Sequence, residues 1–266
     1  MLGPRDIVSV STLSALAVLA APLPSAGQEA NALSAVQRRV LDLADVTVGG
    51  RRFEVHAFDG HVHTEHSMDA RLPTRQVLAV AEAVGLDTLI ITDHGTTSAD
   101  REVQAYGGPL SVLIGAEVGG DYGHALLWNL RNREGMAVAA ESMPTLGAFA
   151  RRHGALAVLA HPGWWFGHHP WDPRRWMHID ALRRGGISET VDALELWNGQ
   201  YWHRTRELID EWAALIEQGI FVPVVGSSDF HLLTRQRLGV PFNAFLCPVG
   251  ADRAACLVEA VRGGRL

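Results

Sequence analysis

From residue 53 to the C-terminus, short apolar runs alternate with longer stretches of helical periodicity. The runs at residues 53–58, 86–91, 110–114, 124–128, 156–160, 191–197, 221–226 and 243–249 have the length and composition of buried strands. Between them, apolar residues recur three and four positions apart. Val77, Leu78, Val80, Ala81 and Val84 follow Pro73, which suits the first turn of a helix, and Gly85 marks its stop. Further helices are expected near residues 143–153, across 203–218 on Leu208, Ile209, Trp212, Leu215 and Ile216, and at 251–262. Leu33, Val36, Val40, Leu41 and Leu43 predict an amphipathic helix over 29–44, packed on the outside of the domain. Gly119, Gly120, Asp121 and Gly123 predict a turn that returns the chain into the strand at 124–128. Repeated strand-then-helix units imply an α/β fold with a parallel sheet and right-handed crossovers. Seven or eight such units close into a TIM-like barrel, whose chemistry sits at the C-terminal ends of its strands.

Polar residues capable of chemistry fall at those ends. His61-x-His63 follows the first strand, and period-two alternation puts both imidazoles on one face. Asp69 comes soon after, with His66 competing for the same role. His94, Glu117, His124, His161, Asp229 and His231 each lie in or just past a later strand. A lone histidine at a strand end usually makes a structural hydrogen bond, and Asp93-His94 alone could cap a helix. So many such sites on one rim point instead to a metal cluster. These nine ligands exceed what one tetrahedral or octahedral ion takes, so two or three ions with a bridging carboxylate are expected, and Glu117 is the natural bridge. Mixed His and carboxylate ligation favours zinc, manganese or iron over calcium or magnesium.

Composition narrows the alternatives. The 266 residues are 47% hydrophobic, enough for one large domain. Net charge is −6 and no basic stripe is present, which argues against nucleic-acid binding by electrostatics. The basic residues are all arginine, which excludes a Schiff-base lysine, a P-loop lysine and a carboxylated-lysine metal bridge. Cys247 and Cys256 form no Cys-x-x-Cys motif and are close enough in sequence to be disulfide partners. Residues 1–27 carry Arg5, an apolar run and small residues before position 28, the pattern of a signal peptide. The mature domain is then 28–266, exported or periplasmic, with no second run long enough to span a membrane.

The ordered set His61-x-His63…Asp69, Thr92-Asp93-His94, Gly115-x-Glu117, Gly123-His124, Ala160-His161-Pro162 and Ser228-Asp229-x-His231 resembles the polymerase and histidinol phosphatase (PHP) superfamily. The resemblance implies a single-domain distorted (β/α)₇ barrel holding up to three metal ions. By position it implies one ion on His61, His63, Glu117 and Asp229, a second on Glu117, His124 and His161, and a third on Asp69, His94 and His231. The family often has Ser-Asp-Gly in its first motif, whereas Met68 here separates Ser67 from Asp69. Export, size and the Gly-His-x-Leu-Leu stretch also resemble the carbaryl-hydrolase branch.

The expected chemistry is hydrolysis of a small-molecule ester. Water between two ions loses a proton near neutral pH, and a second ion polarises the phosphoryl or carbonyl oxygen. Asp229 is the candidate proton relay. No Gly-x-Ser-x-Gly elbow is present, which disfavours a serine nucleophile. Trp164, Trp165 and Arg174, after His161, are candidate substrate contacts, as is Asn198. Glu195 is a candidate partner of a ligand histidine. A phosphoesterase is the leading reading, a carboxylester, carbamate or amide hydrolase the alternative, and a non-catalytic metal-binding protein the third.

Overall fold

The computed structural model describes residues 45–120, 122–130, 134, 136–139, 141–162, 190–200, 205–232 and 236–266. The proposed leader, the 29–44 helix, Trp164, Trp165 and Arg174 lie outside the described residues. The elements in order are β1 (Asp45–Val48), β2 (Arg51–Val62), α1 (Thr74–Ala83), β3 (Thr88–Ile91), α2 (Asp100–Gln104), β4 (Ser111–Ile114), β5 (Ala116–Gly120) and β6 (Gly123–Trp128). There follow α3 (Met136–Ala139), α4 (Met143–His153), β7 (Leu156–Leu159), β8 (Ala193–Asn198), α5 (Thr205–Glu217), β9 (Val224–Ser227), β10 (Asn243–Pro248) and α6 (Arg253–Arg262).

Local chemistry accounts for the helices. On α1, Thr74, Val77, Leu78 and Ala81 are buried at intervals of three and four, so one stripe faces the core. On α4, Ser142 and Thr145 form a reciprocal capping box, and Gly154 ends the helix with a left-handed φ of 67°. Arg151, Arg152 and His153 crowd its last turn, where cationic charge meets the negative end of the helix dipole.

The strands form two five-stranded sheets. In the first, β2 pairs antiparallel with β1 and β10 and parallel with β3, and β3 pairs parallel with β4. The second runs β5-β6-β7-β8-β9, with antiparallel pairs on both sides of β6 and parallel pairs thereafter. The expected α/β class holds, but the described residues do not form the expected closed (β/α)₇ barrel: antiparallel pairs interrupt the expected parallel order. The link between β5 and β6 is too short for a parallel crossover, so a hairpin forms instead. Two isolated bridges, Val62 with Phe230 and His94 with Glu117, join the two sheets.

One core cluster takes Phe58, Ile90 and Leu113 from the first sheet and Leu126, Trp128, Leu156, Val158 and Val225 from the second. This shared apolar packing holds the two sheets together. Gly60 is obligatory here: a Cβ at that position would lie 2.3 Å from the Trp128 ring. Cys247 and Cys256 are disulfide-bonded, with Cα atoms 5.4 Å apart, and tie β10 to α6. Among the described residues no helix is long and apolar enough to cross a membrane.

Candidate metal centre

All nine candidate ligands converge where the two sheets meet. The edge of the first sheet contributes His61, His63, Asp69 and His94; that of the second contributes Glu117, His124, His161, Asp229 and His231. Four overlapping sets have ligand atoms within 4.8 Å of one another: His63, Asp69, His94 and His231; His61, His63 and Glu117; His61, His161 and Asp229; Glu117, His124 and His161. Two residues adopt a strained backbone to get there, His161 with φ 25° and Asp229 with φ 50°. Non-glycine residues in that region cost about 1–3 kcal/mol, and such strain gathers at functional sites.

Glu117 has the geometry expected of a bridge. Its Oε1 lies 2.7 Å from His124 Nδ1 and 3.1 Å from His161 Nε2. Its Oε2 lies 3.3 Å from Nε2 of both His61 and His63 and 3.1 Å from His94 Nδ1. Asp229 Oδ1 is 3.2 Å from His61 Nε2 and 3.4 Å from His63 Nε2. Asp69 Oδ2 is 3.1 Å from His94 Nε2 and 3.2 Å from His231 Nε2. His66 turns instead toward Glu102, 3.4 Å away, so Asp69 is the residue the structure brings to this set. The sets differ in exposure: the Glu117 side chain is 1% exposed and that of Asp69 46%.

The residues present fit metal ions on an observation independent of residue type. Nε2 of His63 and Nδ1 of His124 are buried beside carboxylate oxygens, yet neither makes a hydrogen bond of acceptable geometry. A short N···O approach without hydrogen-bond direction arises when both lone pairs point at a common third point. Divalent ions at such points would also offset the buried carboxylates.

A ring of polar groups sets the imidazoles. His61 Nδ1 is 3.0 Å from Glu195 Oε1, and Glu195 Oε2 accepts from the His161 backbone at 2.6 Å. His63 Nδ1 is 2.9 Å from Ser67 Oγ, which donates to Asp93 at 3.1 Å. Asp93 also accepts from the Thr64 amide at 2.6 Å and its hydroxyl at 2.8 Å. His231 Nδ1 is 2.8 Å from the Asp229 carbonyl. In each case a hydrogen bond at Nδ1 leaves the Nε2 lone pair facing the centre. Glu195 is thus where sequence reasoning placed it. Ser67 and Asp93 were missed as a pair, since Asp93 alone reads as a helix cap. Asn198 donates to Glu195 at 3.0 Å and Asp229 at 3.2 Å, and accepts from Gln200 at 2.9 Å. That amide is engaged with the ligand shell.

Electrostatics follow from this crowding. Burial alone would lower His61 and His63, but the carboxylates beside them win, and His63 is raised to about 9. Burial would raise Glu117 and Asp229, yet the surrounding histidines hold both well below the usual carboxylate range. Asp59 is the exception: burial pushes its carboxyl up to about 6 against the hydrogen bonds it accepts.

Fold and site together define a class, an α/β protein whose sheet edges gather histidines and carboxylates into overlapping metal-ligand sets. The chain belongs to the PHP domain family, whose pattern matches residues 59–224. No curated protein matches significantly. Among solved structures, it is similar to a Bacteroides vulgatus two-domain protein containing a predicted PHP-like metal-dependent phosphoesterase. That match has 19% identity and a TM-score of 0.55, and covers 80% of this chain and 64% of that one. Endonuclease Q, solved with a 27-mer duplex carrying an abasic lesion, matches at 18% identity and a TM-score of 0.59, over 79% of this chain and 57% of that one. A Chromobacterium violaceum amidohydrolase with bound sulfate and no metal matches at 17% identity and a TM-score of 0.53, over 77% and 96%. At these identities the likeness is one of fold. This chain spans under two thirds of the Bacteroides protein and of Endonuclease Q. The carbaryl-hydrolase branch is not singled out by these matches.

Proposed function

We propose that the protein is a metal-dependent hydrolase of phosphate esters, with two or three divalent ions held by the nine converging residues. The observation that carries this reading is Glu117, one buried carboxylate whose two oxygens face different groups of imidazoles. His61, His63, Glu117 and Asp229 would hold one ion, Glu117, His124 and His161 a second, and Asp69, His94 and His231 a third. When bound, such ions supply an acidified water and an electrophile for the ester oxygen.

The protein's own groups do the rest. Glu195 and Ser67 fix the tautomers of His61 and His63, so both present Nε2 inward. Asp229 would hold a proton released at the centre and return it to the leaving group. Asn198 steadies that carboxylate at Oδ2, leaving Oδ1 toward the histidines. The exposed Asp69 edge is the side from which a substrate reaches the centre. The net charge of −6 favours a small ester over a long polyanion such as DNA. Export is proposed from residues 1–27, and a disulfide between Cys247 and Cys256 is at home in an oxidising compartment.

The test is turnover of p-nitrophenyl phosphate, a bis-ester analogue, 1-naphthyl acetate and a naphthyl carbamate, with Mn²⁺ or Zn²⁺ and after chelation. Phosphate-ester turnover that chelation abolishes is expected. Carbamate or acetate turnover with no phosphatase activity would transfer the same centre to the carboxylester and carbamate reading. Bound metal with no hydrolysis of any of them would leave a binding protein.

A further inference from the structure

Asp59 is a fully buried carboxylate that belongs to none of the four ligand sets. It lies on β2 two residues before His61. Its Oδ1 accepts from the His61 amide at 3.3 Å and the Ser228 amide at 3.1 Å. Its Oδ2 accepts from the Gly239 amide at 2.9 Å. The three donors come from β2, from the turn after β9 and from the segment before β10, so one carboxylate ties both sheets together at the site. Among the described residues no basic side chain pairs with it. A buried charge without a counter-ion is costly, and an apolar residue would fill the space more cheaply but leave buried amides without an acceptor.

The neighbour of that turn gives the carboxylate a purpose. Asp229 sits at φ 50°, a conformation that does not persist without external support. It is flanked by two backbone anchors, the Ser228 amide on Asp59 and the Phe230 amide on the His61 carbonyl at 3.3 Å. Both anchors lead back to the end of β2, the segment that also carries His61 and His63. We propose that Asp59 is a positioning residue: it locks the turn bearing Asp229 to the end of β2, so that the Asp229 carboxylate stays within reach of His61 and His63. It touches neither substrate nor ion, and acts through Asp229. The inference rests on the metal reading of this centre.

Asp59→Asn keeps the shape but sets an amide donor against backbone donors. The full chain and this variant would each be titrated with Co²⁺ alone, following absorption and ion count, and then assayed across pH. The expected result is a loss of about 10–100-fold in affinity for one ion, as for other groups that orient ligands. The Co²⁺ spectrum should change and the pH–rate profile shift, while the remaining ions bind as before. A purely structural role would lower the melting temperature and leave the spectrum, affinities and pH profile untouched, which would overturn the proposal. A parent chain that takes up no Co²⁺ sinks the metal reading and this inference with it. A parent that binds Co²⁺ beside an unchanged variant sinks the inference alone. Should the variant fail to fold, amide exchange in the Co²⁺-loaded parent decides. Slow exchange at Ser228 and Gly239 supports the clamp, and exchange at the rate of open loops refutes it.

Discussion

Glu117 concentrates at one residue what the other ligands share among them. Its oxygens face five imidazoles, three on one side and two on the other. Glu117→Ala should therefore lower the metal count by more than one ion, whereas His124→Ala, at the edge of a single set, should cost one at most. Elemental analysis of the two purified variants checks this, and an undiminished metal count in Glu117→Ala would rule out the bridge. His63 carries a pH prediction for the chelated protein. Its imidazole, raised from 6.5 to about 9 by Asp229 and Glu117 against the effect of burial, favours folding only while protonated. That contribution is fully present below pH 6.5 and lost as pH rises through 9, so the melting temperature of the chelated protein should fall across this window. Metal-loaded protein should lack the fall, because an imidazole bound to metal through Nε2 has no proton there to lose. The nine candidate ligands were legible in the sequence because each is a chemically distinctive residue in or just past an apolar, strand-like run. Asp59 was not, because two of its partners lie 169 and 180 residues away and are backbone amides, which leave no mark in a sequence.

The longer helices and most strands were legible as elements, since amphipathic spacing and apolar runs record which face is buried, whereas α2 and α3, of five and four residues, are too short to show a period. β5 was not read as a strand, because the Gly119-Gly120 half of it carries no side-chain pattern. Its place is set by tertiary contacts: the Glu117 amide donates to Thr92 at 3.1 Å, and the Gly95 amide donates to the Glu117 carbonyl at 2.8 Å. On the opposite seam the His63 amide donates to the Phe230 carbonyl at 2.9 Å. Ladders within each sheet are longer than these links, and three of the four ligand sets draw on both sheets. Metal binding should therefore staple the seams. Amide exchange at His63, Phe230, Gly95 and Glu117 should speed up on chelation and slow again when Mn²⁺ or Zn²⁺ is restored, while Leu126 and Val158, inside the second sheet, change little. Uniform acceleration across both sheets would show that the ions support the whole fold rather than its seams.

For the molecule as a whole, the alternation of strands and helices determined an α/β domain with its reactive residues along one rim. Period-two and period-three-to-four spacing reflects burial, and burial is settled locally by where apolar side chains fall. The sequence also determined the ligand types, the absence of lysine chemistry and the net charge. Only the tertiary structure decided that the strands divide into two sheets, that the hairpin of β5 and β6 breaks the parallel order, and that Asp69 rather than His66 joins His94 and His231. It alone brought Glu195 to His61, Asp93 to His63 through Ser67, and Asp59 to the turn that bears Asp229. The physical reason is the same in each case. Pairing between sheets and hydrogen bonds to backbone amides depend on which distant segments meet, and the free energy of that meeting is spread over the whole core rather than written in any one stretch of chain.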